Sequence, residues 1–135
     1  MAGPSWMLDT NALSELIRNP AGNLTQHVAQ VGTDGICTSV MVACELRFGA
    51  RRRGSPTLTA RVEQLLEAMA ILPFDAPADE HYADIRADLE RAGTPIGSHD
   101  LLIAAHARSL GLTLVTHNVR EFSRVPGLSV ADWQV

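Results

Sequence analysis

The chain has 135 residues, of which 46% are hydrophobic and 19% charged, enough for one compact core and too few for a second. A net charge of −4 excludes a protein that coats nucleic acid indiscriminately. Its most apolar runs, Leu101 to Ala105 and Leu112 to Val115, stop far short of the roughly 20 apolar residues that span a bilayer, so no membrane association is expected.

The stretch from Met1 to Ser5 lacks a basic region followed by an apolar run and a small-residue cleavage site, which predicts a cytoplasmic protein. Trp6-Met7-Leu8 then gives way to Asp9-Thr10-Asn11, the pattern of a strand turning into a helix, here from about Leu13 to Arg18. Asn19-Pro20-Ala21-Gly22 stops that helix, and a short one follows from Leu24 to Val31. After Gly32-Thr33-Asp34-Gly35 comes a second strand, Ile36 to Thr38, and Ser39 is placed to cap what comes next. From Val40 to about Arg52 apolar positions recur at Val42, Leu46 and Ala50, and Gly54-Ser55-Pro56 opens a further helix to about Met69. The two form a helical hairpin. Cys37 and Cys44 are poorly arranged for a disulfide and are expected as buried free thiols.

Ile71-Leu72-Pro73-Phe74 reads as an edge strand, because its proline cannot donate to a ladder. Asp75 and Pro77 start a helix with Tyr82, Ile85 and Leu89 on one face, ending at Gly93. Ser98 is expected to cap the helix His99 to Leu110, which stops at Gly111. Leu112 to Thr116 is an apolar fourth strand ending in His117-Asn118. A short helix from Val119, the turn Pro126-Gly127 and a last strand near Leu128 to Val130 complete the chain.

Strands that are nearly continuous in apolar residues and alternate with helices predict an α/β/α sandwich around a parallel sheet of four to five strands. In such folds ligands sit beyond the carboxyl ends of the strands. The polar residues that break the pattern fall at that edge: Asp9 after the first strand, Asp100 at a helix start, Asn118 after the fourth strand, and Glu45 two turns into the helix after the second. Three carboxylates and an amide in one pocket repel one another unless a cation neutralises them. Oxygen ligands select a hard ion such as Mg²⁺ or Mn²⁺, which suits phosphodiester hydrolysis.

Each residue also has a purely structural reading. Asp9 suits a helix cap, Asp100 a first-turn acid favoured by the helix dipole, and Asn118 a turn. Glu45 is harder to explain that way, since it sits among Val42, Ala43, Cys44 and Leu46, where an unpaired charge is costly. Of the histidines, His99 and His106 lie seven apart without the further ligands that zinc needs, and His27 and His81 are expected at the surface.

Four blocks carry a resemblance: Leu8-Asp9-Thr10-Asn11, Cys44-Glu45-Leu46-Arg47-Phe48-Gly49, Pro95-Ile96-Gly97-Ser98-His99-Asp100-Leu101-Leu102-Ile103-Ala104, and Val115-Thr116-His117-Asn118-Val119-Arg120-Glu121-Phe122. In order and spacing they resemble the signature blocks of VapC-type PIN domains, and the tail Val125-Pro126-Gly127-Leu128 and Asp132-Trp133 is similar too. The resemblance covers nearly the whole chain, read as one PIN domain over 1–135. It implies a metal-dependent endoribonuclease toxin with Asp9, Glu45 and Asp100 as metal ligands, Asn118 at the family's fourth polar position, and Mg²⁺ or Mn²⁺ as cofactor. That fourth position is often aspartate in the family, so the amide here lowers the charge of the site. The resemblance further implies an RNA substrate, with transfer RNA and the initiator's anticodon loop foremost, a VapB-like antitoxin seated on the helical hairpin, and a homodimer.

Around this set, Thr116 is expected to orient the pocket and Asn11 to brace Asp9 through its amide. Arg47, Arg51, Arg52 and Arg53 form the densest basic run and, with His117, are the candidates for RNA contact; a solvated helix end favoured by the macrodipole is the other reading of the arginines. Two rival functions fit the sequence less well. A phosphoryl-transfer domain also places aspartates at strand ends but normally uses a lysine, and all 11 basic residues here are arginine. A non-catalytic PIN-like RNA- or protein-binding module is expected to have lost an acidic ligand, whereas all three acids are present.

Overall fold

In the computed structural model, which describes residues 3–135, strands and helices alternate along the chain. The order is β1 (Trp6–Leu8), α1 (Thr10–Arg18), α2 (Asn23–Val31), a 3-10 turn (Thr33–Gly35), β2 (Ile36–Ser39), α3 (Val40–Arg53), α4 (Pro56–Glu67) and β3 (Ala70–Leu72). It continues with α5 (Ala78–Arg91), α6 (Ser98–Ser109), β4 (Thr113–Val115), α7 (Val119–Phe122) and β5 (Val130–Ala131). The reading of the N-terminal stretch rests partly on Met1 and Ala2, which lie outside the described residues.

All strand pairs are parallel, and the sheet order is β3-β2-β1-β4-β5. The central strand is therefore the first in sequence. Its Leu8 pairs with Thr38 on one side and with Val115 on the other. The chain builds outward from β1 in one direction, then returns to build in the other, which opens a crevice beyond the carboxyl ends of β1 and β4.

The predicted architecture is the observed one, with five strands. Met7, Leu8, Ile36, Cys37, Leu114 and Val115 are fully or almost fully buried, because helices cover both faces of these strands. β3 is an edge strand as expected, although Pro73 lies just beyond it. The hairpin of α3 and α4 forms, and Gly54 joins the two helices in the left-handed conformation that glycine adopts at no steric cost.

Several local readings shift. α1 begins at Thr10 rather than Leu13, because Asp9 is its N-cap. α6 begins at Ser98 itself, with Gly97 in the cap position and no side chain capping it. Cys37 is buried as expected, but Cys44 is exposed on the outer side of α3. His27 and His81 are half-buried rather than at the surface: His27 stacks against Trp133 at 5.1 Å between ring centroids, and His81 Nδ1 accepts from Arg108 Nε at 2.9 Å. His106 is buried with its Nδ1 2.7 Å from the hydroxyl of Ser39, so it ties α6 to the start of α3. Burial lowers its pKa. Among the described residues no helix is long and apolar enough to cross a membrane.

Candidate active site

Asp9 ends β1 and is almost wholly buried. Its Oδ1 accepts from the backbone N–H of Ala12 at 2.8 Å, so the capping role expected of an aspartate at this turn is real. The cap uses one oxygen. Thr116, buried at the end of β4, also hydrogen-bonds Asp9 through its side chain and accepts from the backbone N–H of Asn118 at 2.9 Å. Burial pushes the Asp9 carboxyl up, Thr116 and Ala12 oppose that, and the charge of Asp132 adds to it.

Asp100 stands in the first turn of α6, and its carboxyl is pushed up to about 7 by burial, by a hydrogen bond to Glu121, and by the charges of Glu121 and Asp9. Glu121 responds in the opposite sense. Burial raises it, but hydrogen bonds from Asn118, from the Gly97 backbone and from Asp100 hold it below the usual carboxylate range. Asn118 Nδ2 donates to Glu121 Oε2 at 2.7 Å, and Gly97 N donates to Oε1 at 3.2 Å. Asp100 and Glu121 thus share a proton between them.

Glu45 stands apart from this coupled group. Its side chain is 49% exposed, so the premise that it is buried among apolar neighbours fails: Val42, Ala43 and Leu46 face the core while Glu45 faces a groove. His99 Nδ1 lies 3.8 Å from Glu45 Oε1. The groove runs between α1, α3 and α4, with Thr10, Glu45 and Arg53 among its lining and an apolar floor of Leu46, Leu58 and Val62.

The supporting residues differ from expectation. Asn11 is exposed and does not brace Asp9, because one helical step from Thr10 turns it outward; Ala12 and Thr116 do the bracing. Arg47 is committed to Glu63 of α4, with Nε and Nη2 donating at 3.1 and 3.0 Å. That ion pair links the two helices of the hairpin, and any RNA contact by Arg47 competes with it. Arg51, Arg52 and Arg53 are exposed in the last turn of α3, and only Arg53 borders the groove. His117 is exposed at the rim and pairs with Asp132.

Glu121 carries no role in the sequence reading. Its signal is the Asn118-x-x-Glu121 spacing, which looks like an ordinary capping box. In the fold the two side chains instead meet each other, and the glutamate reaches back to Asp100.

Asp9, Asp100 and Glu121 are oxygen donors gathered where burial, with the hydrogen bond to Glu121 and the charges of Glu121 and Asp9 adding to it, favours a proton on Asp100, and such a set fits a hard divalent cation that takes the proton's place. Among the described residues no three His, Cys, Asp or Glu side chains already stand together as metal ligands.

Residues 6–128 match the model of the PIN domain family. The chain is 39% identical over 129 residues to the tRNA(fMet)-specific endonuclease VapC of Salmonella typhimurium, covering 95% of this chain and 97% of that one. It is 38% identical over 130 residues to Ribonuclease VapC2 of Haemophilus influenzae, with the same coverage of 95% and 97%. Among solved structures, it resembles a chain of the DNA-bound VapBC complex from Salmonella typhimurium with a TM-score of 0.91 and 38% identity, over 96% of this chain and 98% of that one.

Proposed function

The chain belongs to the PIN domain family, and from that premise we propose that it is a Mg²⁺- or Mn²⁺-dependent endoribonuclease, the toxin of a toxin–antitoxin pair, forming a single domain over residues 1–135. One observation carries the reading: Asp9, Asp100 and Glu121 converge at the switch point of the sheet, where burial first, and then the hydrogen bond to Glu121 and the charges of Glu121 and Asp9, push the Asp100 carboxyl up to about 7. A site built only for stability gains nothing from gathering acids in this way.

In this reading Asp9 and Asp100 hold the cation together with Glu45, and Glu121 completes the acidic set. When bound, the cation supplies an activated water and stabilises the departing oxygen of a phosphodiester. The chain's own residues prepare the ground. Thr116 and Ala12 fix the Asp9 carboxylate in one orientation, and Asn118 acts through its amide as the anchor of Glu121. The asparagine at the fourth polar position therefore does not leave the site one acid short, because Glu121 occupies the space the amide points to.

The relatives named as VapC ribonucleases support RNA as substrate, and the Salmonella typhimurium relative, named as tRNA(fMet)-specific, favours that transfer RNA here. An unpaired loop suits a shallow acidic pocket, since its backbone can bend to bring a phosphate onto the cation. The groove between α1, α3 and α4 suits a VapB-like antitoxin that covers Glu45, and the VapBC complexes among the structural neighbours support such a partner. We further propose a homodimer in a cytoplasmic setting. The test is to map RNA 5′ ends after induced expression of the wild type and of Asp9→Asn. New ends confined to the wild type and clustered in one transfer RNA are expected; identical end profiles for the two would overturn the reading.

A further inference from the structure

His117 stands between two residues that build the site, Thr116 and Asn118, and it is held from behind. Its Nδ1 lies 2.9 Å from Asp132 Oδ2, while Asp132 Oδ1 accepts from the backbone N–H of Gln134 at 2.9 Å. The two side chains differ sharply in exposure, 62% for His117 and 15% for Asp132. The carboxylate is a fixed, half-sunk base and the imidazole an exposed ring pinned to it. Both residues are close enough to influence Asp9, which places the pair at the lip of the acidic pocket.

That arrangement sets the polarity of the ring. A carboxylate can only accept, so Nδ1 carries the hydrogen and donates, and in the neutral ring Nε2 is left as an acceptor. Nε2 has no protein partner among the described residues. An oriented acceptor beside a crowd of carboxylates is a poor match for a phosphate oxygen, which is itself an acceptor and negative. It matches a neutral hydroxyl. RNA offers one beside every phosphate, and DNA lacks it.

We propose that His117 Nε2 accepts a hydrogen bond from a ribose 2′-hydroxyl next to the scissile phosphate, with Asp132 as the positioning residue, so that the pair selects RNA over DNA. The inference rests on the nuclease reading and adds to it the group that senses the sugar.

The experiment is single-turnover cleavage of a stem-loop RNA carrying the mapped cleavage site, together with a series in which one nucleotide at a time around that site is 2′-deoxy. At one position flanking the cut the wild type should lose about fivefold in kcat/KM, the size of one neutral hydrogen bond. His117→Asn keeps a group able to donate to Asp132 but has nothing at the Nε2 position, so it should cleave all-ribose RNA about fivefold more slowly and show no deoxy penalty. Asp132→Ala should shrink the penalty and add nothing to His117→Asn, whereas Asp132→Asn, which still accepts from Nδ1, should restore most of it.

A full deoxy penalty in His117→Asn overturns the inference, whether or not that variant is slower, and points to a phosphate contact or a bracing role. Wild-type rates in His117→Asn on all-ribose RNA overturn it as well. If the wild type cuts no RNA, the nuclease reading itself has failed.

Discussion

Replacing Asp100 with asparagine tests the electrostatic core of the site without any assay of cleavage. The fold raises this carboxyl from 3.8 to about 7, so the folded, metal-free protein favours its neutral form. A raised carboxyl contributes stability that is fully present below its unfolded pKa and is lost as pH climbs through the folded value. Metal-free wild type should therefore weaken between about pH 4 and pH 8. At about 1.36 kcal/mol per pKa unit the shift corresponds to about 4 kcal/mol, and solvent screening of this partly exposed group, together with the proton shared with Glu121, reduces that to about 1–2 kcal/mol. Asparagine is always neutral and can donate to Glu121 as the protonated acid does. Thermal unfolding in EDTA should place Asp100→Asn only slightly above wild type at pH 5 and higher by roughly 3–8 °C at pH 8. Saturating Mg²⁺ should close or invert the gap at pH 8 by stabilising only the wild type. A gap of the same size at pH 5 and pH 8, or none at pH 8, would refute the reasoning.

Other outcomes follow from the same geometry. Glu121→Gln should cut RNA cleavage at limiting Mg²⁺ by at least about tenfold, the scale of a weakened metal shell, with recovery at high Mg²⁺; an unchanged Mg²⁺ titration would show that this glutamate only anchors Asn118 and the Gly97 backbone. EDTA should abolish cleavage and Mg²⁺ or Mn²⁺ restore it, while full activity in chelator would rule out the cation. In an Asp9→Asn background, substitution of Arg51, Arg52 or Arg53 should reduce the slope of log affinity against log salt by roughly 0.7 for each lost contact with single-stranded RNA, read by filter binding. Arg47→Ala should leave that slope alone, because Arg47 is spent on Glu63.

Much of this was legible in the residues because the signals were local. Trp6 to Leu8, Ile36 to Thr38 and Leu112 to Thr116 are apolar runs bounded by turn formers, and each became a strand of the central sheet. Helix starts were less legible. Thr10 and Asn11 favour caps over helix interiors, which hid the first turn of α1, and Gly97 has no side chain with which to announce a cap. At the site, Asp9, Asp100 and Thr116 could be placed because each ends a strand or opens a helix. Asn11 was misjudged for want of its rotation about α1, and the pairing of Arg47 with Glu63 was hidden because the partner lies 16 positions along on another helix. Asp132 was only part of a similar tail until β5 set it beside β4 and His117.

The place of β1 at the centre of the sheet has a consequence for how the protein is made. Leu8 pairs with Val115, so the strand that carries Asp9 waits for its second neighbour until most of the chain has left the ribosome. Closing so long a loop is entropically slow, and it comes late in any vectorial folding route. Until β4 docks, Asp9 has no Thr116 to orient it and Asp100 has no Glu121 to share its proton with. Prematurely terminated products should therefore cleave no RNA, and only a nearly finished chain is armed.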